Sequence, residues 1–186
     1  PLSPTLFAIF INSLLRKLNN QKIGIKLPHC PLTNLAYADD IVLLAHNQDD
    51  LQKLINITSE WCDQHGMKAN VNKCATMSDH SYNQCYWKDS PIPKGEAYKY
   101  LGIIFEPKNT WKKQKQTAAA KGYSKIKKFK KILGNPHLGI RTKLHIYKEE
   151  IRSQFEYGME FWSWNTWQEG FENAQKTALE IIAGIE

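Results

Sequence analysis

Two adjacent carboxylates, Asp39 and Asp40, lie inside an otherwise apolar stretch of the sequence, LAYADDIVLLA at residues 35–45. Aliphatic and aromatic residues at this density predict a pair of buried strands, where an unpaired carboxylate is unfavourable. A bend at residues 38–40 would instead project both carboxylates to one edge of a small sheet. There they could bind a divalent cation, because Mg²⁺ prefers hard oxygen ligands. Asp is also a common turn residue, so a solvated hairpin turn without a ligand is the alternative.

The elements that must position this bend are of mixed type up to about residue 105 and helical beyond it, which predicts an α+β fold. Ser3 and Pro4 fit the N-cap and the first residue of a helix that ends near residue 19, and Gly66 fits the end of another. Strands are expected at 33–37, 41–46, 68–77, 82–88 and 98–105, and helices at 3–19, 49–65, 110–133, 139–157 and 167–183. We place the boundary between two domains, 1–106 and 107–186, near Pro107.

Composition excludes several classes of protein. A hydrophobic content of 42% predicts a globular chain, and no apolar run reaches the ~18–20 residues that span a bilayer, so no membrane partner is expected. The four cysteines form no CxxC pair, which favours free thiols in a reducing, intracellular compartment, whether nucleus or cytoplasm. The first residue is Pro1 rather than Met, so we expect a longer parent polypeptide.

Positive charge is concentrated in one segment of the chain. Residues 107–148 contain 12 Lys and one Arg without any Asp or Glu, whereas the remaining residues have 12 basic and 18 acidic side chains. Such segregation predicts a polyanionic partner, and the alternative is a solvated basic helix face without one. A helix over 110–133 could pack by its apolar side and contact phosphates with its lysines, independently of base sequence.

Five short motifs follow one another along the chain: PLSPTLF (1–7), AYADD (36–40), GMKANVNKCATM (66–77), YLGIIF (100–105) and FEYGMEFWSWN (155–165). In this order they resemble the reverse transcriptases of non-LTR retrotransposons, the long interspersed elements. Each motif alone has moderate specificity, but together they extend over nearly the whole chain. The resemblance implies the C-terminal part of a polymerase palm, a short antiparallel sheet on helices with a catalytic hairpin, followed by an all-α thumb.

The resemblance also implies roles for individual residues. Asp39 would be the principal metal ligand and Asp40 the second, in a two-metal site for Mg²⁺ with Mn²⁺ as an alternative. Lys73 would protonate the departing pyrophosphate, with an ordinary surface lysine as the alternative. The remaining residues that the resemblance or the basic segment assigns to nucleic-acid binding are Tyr37, Tyr100, Leu101, Gly102, Lys112, Lys113, Lys121, Lys125, Lys127, Lys128 and Lys131. Tyr37 would lie beside the primer end and the incoming nucleotide, and the tripeptide 100–102 would form the primer grip.

The implied function is nucleotidyl transfer to a primer 3′-hydroxyl by an RNA-directed DNA polymerase. Its partners would be an RNA template, a DNA primer and deoxynucleoside triphosphates. The family's third carboxylate and its fingers precede the PLSP block, so we expect this chain to be inactive without the missing N-terminal segment of the parent. The alternative is a non-catalytic, basic nucleic-acid-binding remnant of a retroelement. A purely structural helical module would explain neither the paired carboxylates nor the basic segment.

Overall fold

The computed structural model describes residues 2–28, 31–162 and 169–185. The chain divides into two compact units, Pro1–Tyr98 and Lys99–Glu186. The first contains helices and short strands and the second is mostly helical, which agrees with the predicted α+β class. In the sequence, the first unit ends at Tyr98, eight residues before the predicted end of the first domain. The assignment of the two units to palm and thumb stays a prediction. Among the described residues, no helix is both long and apolar enough to span a membrane.

Two helices and their apolar faces form the core of the first unit. Helix α1 is Ser3–Asn19 and helix α2 is Gln48–Gln64. The buried residues that join them are Ile11, Leu14, Leu18, Leu54, Trp61 and Cys62. Both helices carry apolar residues at three- and four-residue spacing, so each buries a single stripe. The Trp61 indole N–H also donates to the Ser13 hydroxyl (2.9 Å), which satisfies the polar atom of a side chain that is only 1% exposed.

The helix ends follow the sequence signals in part. Pro4 lies in the first turn of α1 as predicted, but the N-cap is Leu2 rather than Ser3 and makes no side-chain cap. The Ser3 prediction was wrong by one residue, because the backbone of Ser3 is already helical. Helix α2 has an Asn47 N-cap whose side-chain oxygen accepts from the Asp50 amide (2.8 Å), and Gly66 follows it with φ +65°.

All strands of the described residues lie in two-stranded sheets. The pairs are β1 (Ile25–Lys26) with β2 (Pro31–Leu32), β3 (Asn34–Tyr37) with β4 (Asp40–Leu43), β5 (Tyr86–Trp87) with β6 (Ser90–Pro91), and β7 (Tyr98–Tyr100) with β8 (Ile103–Phe105). The boundary between the two units falls within β7. Such short ribbons have little stability of their own, so their conformation depends on the helices beside them.

Four predicted elements differ from the structure. Of the strand predicted at 82–88, only Tyr86–Trp87 is a strand. Residues 68–77 form a 3₁₀ turn, Val71–Lys73, and one parallel bridge from Thr76 to Lys94, because Lys73 interrupts the alternation of apolar and polar residues that a strand requires. Residues 98–105 are a hairpin rather than one strand. The predicted helix 139–157 is divided into α4 (Ile140–Ile146), a π-helical turn (Tyr147–Arg152) and α5 (Ser153–Glu156).

The second unit packs its helices around α3 (Lys112–Leu133) and α7 (Glu169–Ala183), with the short α6 (Met159–Trp162) between α5 and α7 in the chain. Its buried core includes Ile126, Ile151, Phe155 and Ala174. Gly122 of α3 faces Phe155 so closely that an added Cβ would lie 1.8 Å from the ring. Helices α3 and α5 can therefore approach each other at this point only because position 122 has no side chain.

Candidate catalytic hairpin and nucleic-acid surface

The predicted bend is a two-residue hairpin turn. In the ladder of β3 and β4, Tyr37 pairs with Asp40, and Ala38 and Asp39 connect them. The base of the hairpin is attached to helix α1, because the Asn19 side-chain oxygen accepts from the Thr33 hydroxyl (2.7 Å) and the Asn34 side-chain amide (2.9 Å). Thr33 is fully buried, so these hydrogen bonds fix the position at which the hairpin leaves the core.

The turn places Ala38 in an unfavourable backbone conformation. Its φ of +52° is that of the first central residue of a type II′ turn, a position that usually holds Gly. A side chain in the left-handed region costs roughly 1–2 kcal/mol. Strain of this kind persists only where the surrounding structure imposes it, and it is frequent at functional sites.

The register separates the hairpin into two faces. Ile41 and Leu43 point to the helical core and are packed against it. The opposite face carries Tyr37 and Asp40 side by side, because directly paired residues of an antiparallel ladder project to the same side. The prediction of two buried strands was therefore wrong for β3, in which Leu35 is 45% and Tyr37 66% exposed. A two-stranded ribbon covered on one side leaves its other face open.

Asp39 and Asp40 are both exposed at this tip. Neither carboxylate has an ion pair or a side-chain hydrogen bond among the described residues. Within that part of the chain, no group of three or more His, Cys, Asp or Glu side chains comes together as a metal site. The donor chemistry of two neighbouring carboxylates fits a hard divalent cation, but it supplies only part of the oxygen ligands that such a cation requires.

Lys73 lies at the end of the 3₁₀ turn, with an exposed side chain. Its backbone carbonyl accepts a hydrogen bond from the Tyr98 hydroxyl (2.9 Å). Burial raises the pKa of Tyr98, and the nearby Cys74 and Asp40 raise it further. The Tyr98 hydroxyl thus fixes the backbone at Lys73 through this hydrogen bond. Sequence reasoning missed Tyr98, although its position two residues before the YLG motif is a signal.

The motif residues Tyr100, Leu101 and Gly102 form the end of β7 and the turn to β8. Leu101 has φ +47° and Gly102 has φ +83°, the pattern of a type I′ turn, in which both central residues are left-handed. Gly at the second position fits this turn, whereas Leu at the first does not. The β8 strand is attached to α3, because the Ile104 amide donates to the side chain of the buried Gln114 (2.9 Å).

Most of the predicted phosphate-binding lysines form an exposed face on α3, which we call the basic face. The exposed members are Lys112, Lys113, Lys121, Lys127, Lys128 and Lys131. Lys125 differs from them, since its ammonium pairs with Glu150 (2.9 Å) and lies 5.7 Å from the centre of the Phe129 ring. The hydrogen bond and the charge of Lys125 lower the pKa of Glu150. Its ammonium is therefore less available for phosphate than those of the six exposed lysines.

The cysteines agree with the thiol prediction as far as the structure describes them. Cys62 and Cys85 are buried and Cys74 is partly buried, and all three are free thiols. Burial is the main cause of a raised pKa at each of them, which favours the protonated, unreactive form. Cys30 lies outside the described residues.

Comparison with known protein families identifies the class of protein. Residues 1–105 match the family described as reverse transcriptase (RNA-dependent DNA polymerase). The chain belongs to this nucleotidyltransferase family, and its relatives place it among the reverse transcriptases of non-LTR retrotransposons. The recognition made from the five motifs is confirmed.

The curated relatives are large retrotransposon proteins. The Retrovirus-related Pol polyprotein from type-1 retrotransposable element R2 of Popillia japonica is 30% identical over 171 residues, which are 86% of this chain and 27% of the relative. The corresponding polyprotein from type-2 retrotransposable element R2DM of Drosophila melanogaster is 35% identical over 118 residues (56% and 11%). A probable RNA-directed DNA polymerase from transposon X-element, also of Drosophila melanogaster, is 25% identical over 163 residues (81% and 18%). The chain thus spans about a quarter or less of these proteins.

Proposed function

We propose that this chain is the part of an RNA-directed DNA polymerase that contains the C-terminal palm and the thumb. The parent enzyme would extend a DNA primer on an RNA template with deoxynucleoside triphosphates. The observation that carries this proposal is the core-anchored hairpin whose tip leaves Asp39 and Asp40 exposed, without a side-chain partner in the part of the chain that the structure describes. Both carboxylates are open to solvent and lack a side-chain partner among the described residues, which supports a role in binding a hard divalent cation.

Asp39 and Asp40 would hold Mg²⁺, with Mn²⁺ as an alternative, as the carboxylates of a two-metal site. When bound, the cations would supply activation of the primer hydroxyl and stabilisation of the leaving group. Tyr37 lies beside Asp40 on the open face and would contact the primer end and the incoming nucleotide. The Lys73 ammonium would donate a proton to the departing pyrophosphate, and the turn at residues 100–102 would hold the primer.

The basic face of α3 would bind the phosphates of the primer–template duplex. Its six exposed lysines lie on one helix without an acidic residue between them. Such contacts give affinity without base specificity and a strong dependence on salt. They equally support the second candidate function, a non-catalytic nucleic-acid-binding remnant, because binding of this kind requires neither a metal nor a third carboxylate.

The chain by itself is proposed to be inactive. Two carboxylates cannot complete the near-octahedral oxygen coordination that Mg²⁺ demands at two sites. A third carboxylate and the fingers would come from other parts of the parent polypeptide, of which this chain is one segment. The two candidate functions differ in that polymerase activity requires those parts, whereas duplex binding does not.

Primer extension on an RNA template with Mg²⁺ tests the proposed chemistry. The parent polypeptide should extend the primer, and the 186-residue chain should not. Asp39→Asn in the parent should abolish extension without changing the fold, since it removes a charged ligand with little change in shape. Extension by the isolated chain or by the Asp39→Asn parent would disprove the assigned site. A parent that binds the duplex but never extends it would favour the remnant.

Duplex binding by the isolated chain tests the basic face. Lys127→Ala, Lys128→Ala and Lys131→Ala together should weaken binding to an RNA–DNA duplex whatever its sequence. The slope of log affinity against log salt should become shallower by about 0.9 for each phosphate that is no longer neutralised. A matched control replaces three exposed lysines of the first unit, Lys22, Lys26 and Lys68, and changes the net charge equally. Equal losses of affinity in both triple variants would mean that net charge, and not the basic face, governs binding.

A further inference from the structure

The turn of the YLG motif is held by a tyrosine that follows it by more than 50 residues. The Tyr157 hydroxyl donates a hydrogen bond to the Leu101 carbonyl (2.7 Å). A Cβ on Gly102 would lie 3.0 Å from the Tyr157 ring and 3.5 Å from its hydroxyl oxygen. The close approach that Gly102 permits is therefore to this ring, within the second unit.

This turn needs external support because its first central residue is strained. Leu101 has φ +47°, which is uncommon for any residue with a bulky side chain. Its side chain nevertheless remains 38% exposed, so burial contributes little to fixing it. The hydrogen bond from Tyr157 reaches the carbonyl of this same residue and restrains the orientation of the following peptide unit.

Tyr157 is in turn fixed to the core of the second unit. The Trp162 indole N–H donates to the Tyr157 carbonyl (3.4 Å), and the Trp162 ring stacks on Phe171 with 5.4 Å between centroids. Trp162 is 4% and Phe171 5% exposed. Between Tyr157 and Trp162, Gly158 has φ +69°, and a Cβ there would lie 2.5 Å from Ile103 of β8. Tyr157 and Gly158 of the FEYGMEFWSWN motif thus pack directly on the hairpin, and Trp162 of the same motif connects them with the core.

We infer that Tyr157 is a positioning residue that sets the orientation of the Leu101–Gly102 turn through its hydrogen bond to the Leu101 carbonyl. The inference rests on the proposed function, in which this turn holds the primer. Loss of the hydroxyl would let the turn relax, so that the primer end is held in the productive position for a smaller fraction of the time. Because Tyr157 donates to the protein backbone, it would act on the primer through the turn.

Hydrogen exchange of the 186-residue chain tests the restraint without any activity. Tyr157→Phe keeps the ring and removes one hydrogen bond, which should accelerate exchange in peptides covering residues 98–105 by about 3- to 10-fold. Exchange in the middle of α3 should stay unchanged. The matched control is Tyr123→Phe, also in the second unit, whose hydroxyl has no hydrogen bond among the described residues. Unchanged exchange at 98–105 in Tyr157→Phe, or equal acceleration in both variants, would overturn the inference.

Steady-state extension by the parent polypeptide tests the consequence for the primer. Tyr157→Phe should raise the KM for primer–template by about the factor seen in hydrogen exchange, with a smaller change in the KM for nucleotide. Tyr157→Ala should raise it further, and Tyr123→Phe should leave it unchanged. Accelerated exchange with an unchanged KM for primer–template would overturn the positioning role while the polymerase assignment stands. A wild-type parent without extension would instead contradict the proposed function.

Discussion

The two hairpins β3–β4 and β7–β8 are built alike and restrained differently. Each joins its strands by a two-residue turn, and each places a residue other than Gly at positive φ, Ala38 in one and Leu101 in the other. The tip of the first hairpin carries two exposed carboxylates, Asp39 in the turn and Asp40 at the start of β4, and neither has a side-chain hydrogen bond among the described residues. The turn of the second hairpin carries no charge and is held by the Tyr157 hydroxyl.

The difference indicates two ways to keep a strained turn in place. The β3–β4 turn depends on its base, where Asn19 binds Thr33 and Asn34, and on the packing of Ile41 and Leu43. Its tip is thereby left free for ligands. The β7–β8 turn is restrained at the tip itself, by a side chain from outside the hairpin. The proposed cation site at Asp39 and Asp40 could not be covered by a side chain in this second way.

The largest expected difference between the hairpins is in catalysis. In the parent polypeptide, Asp39→Asn should abolish primer extension, whereas the free energy of unfolding of the chain should stay the same or rise, because the repulsion between neighbouring carboxylates is removed.

Lys73→Ala should slow extension by at most the ~10²–10⁴-fold that a general acid contributes.

The control for Lys73→Ala is Lys53→Ala, an exposed lysine of α2 that should leave the rate unchanged. Rates of extension and urea unfolding curves give both quantities. A Lys73→Ala parent with the wild-type rate would remove Lys73 from the site, and an Asp39→Asn chain that unfolds more readily would show that the carboxylate stabilises the hairpin.

The second-largest expected effect is on the free energy of unfolding, and it comes from the β7–β8 turn that Tyr157 restrains. Gly102→Ala should lower the free energy of unfolding by about 2–4 kcal/mol. This figure combines the backbone strain of a side chain at positive φ with the crowding of the new Cβ against Tyr157. Gly66→Ala is a matched control, since Gly66 has φ +65° and no described residue apart from its chain neighbours lies within 4 Å of an added Cβ. It should cost roughly 1–2 kcal/mol.

Urea unfolding separates the two contributions in a double-variant cycle. In a Tyr157→Ala chain, Gly102→Ala should cost no more than Gly66→Ala does, because the crowding partner is gone. If Gly102→Ala costs the same with and without the Tyr157 side chain, the ring does not limit the residue at position 102.

A smaller effect concerns Tyr98, at the start of β7. Tyr98→Phe should lower the free energy of unfolding by about 0.5–1.5 kcal/mol at neutral pH, because the hydrogen bond to the Lys73 carbonyl is lost. The pKa of Tyr98 is raised above 10.0 in the folded chain, so the unfolded chain loses this proton first. The contribution of the neutral phenol is fully present below about pH 10 and is lost as the pH rises through the folded pKa.

The stability difference between wild type and Tyr98→Phe should therefore narrow above about pH 10. Urea unfolding of wild type and Tyr98→Phe across the alkaline range measures this difference. The other groups with raised pKa values, Tyr147 and the buried thiols, are present in both chains, so their contributions cancel when the two free energies of unfolding are subtracted. A constant difference across that range would mean that Tyr98 ionises alike in the folded and unfolded chain.

The smallest expected effect is at the open turn. Ala38→Gly relieves the strain at positive φ but makes the unfolded chain more flexible, so the free energy of unfolding should rise by only about 0.5 kcal/mol. Ala36→Gly, at an extended position of β3, should lower it by roughly 0.5–1 kcal/mol. Thermal unfolding of the two variants checks the opposite signs, and a loss of stability in Ala38→Gly would contradict the strain at Ala38.

The sequence predicted the local features of the site better than its surroundings. The bend at Asp39 and Asp40 follows from apolar residues on both sides of two carboxylates, a pattern confined to 11 residues. The exposure of Leu35 and Tyr37 could not be predicted in this way, because composition does not reveal that only one face of the ribbon is covered. The contact of Tyr157 with Leu101 joins residues 56 positions apart, and neither motif contains a signal of the other.

The contact of Gly122 with Phe155 limits how related sequences can diverge. An added Cβ at position 122 would lie within 1.8 Å of the Phe155 ring, and that ring is fixed edge-to-face against Phe171 with 5.6 Å between centroids. Neither side can move far in a close-packed interior. Homologous chains with a side chain at position 122 should therefore carry a residue smaller than Phe at position 155, so the two positions should covary across the family.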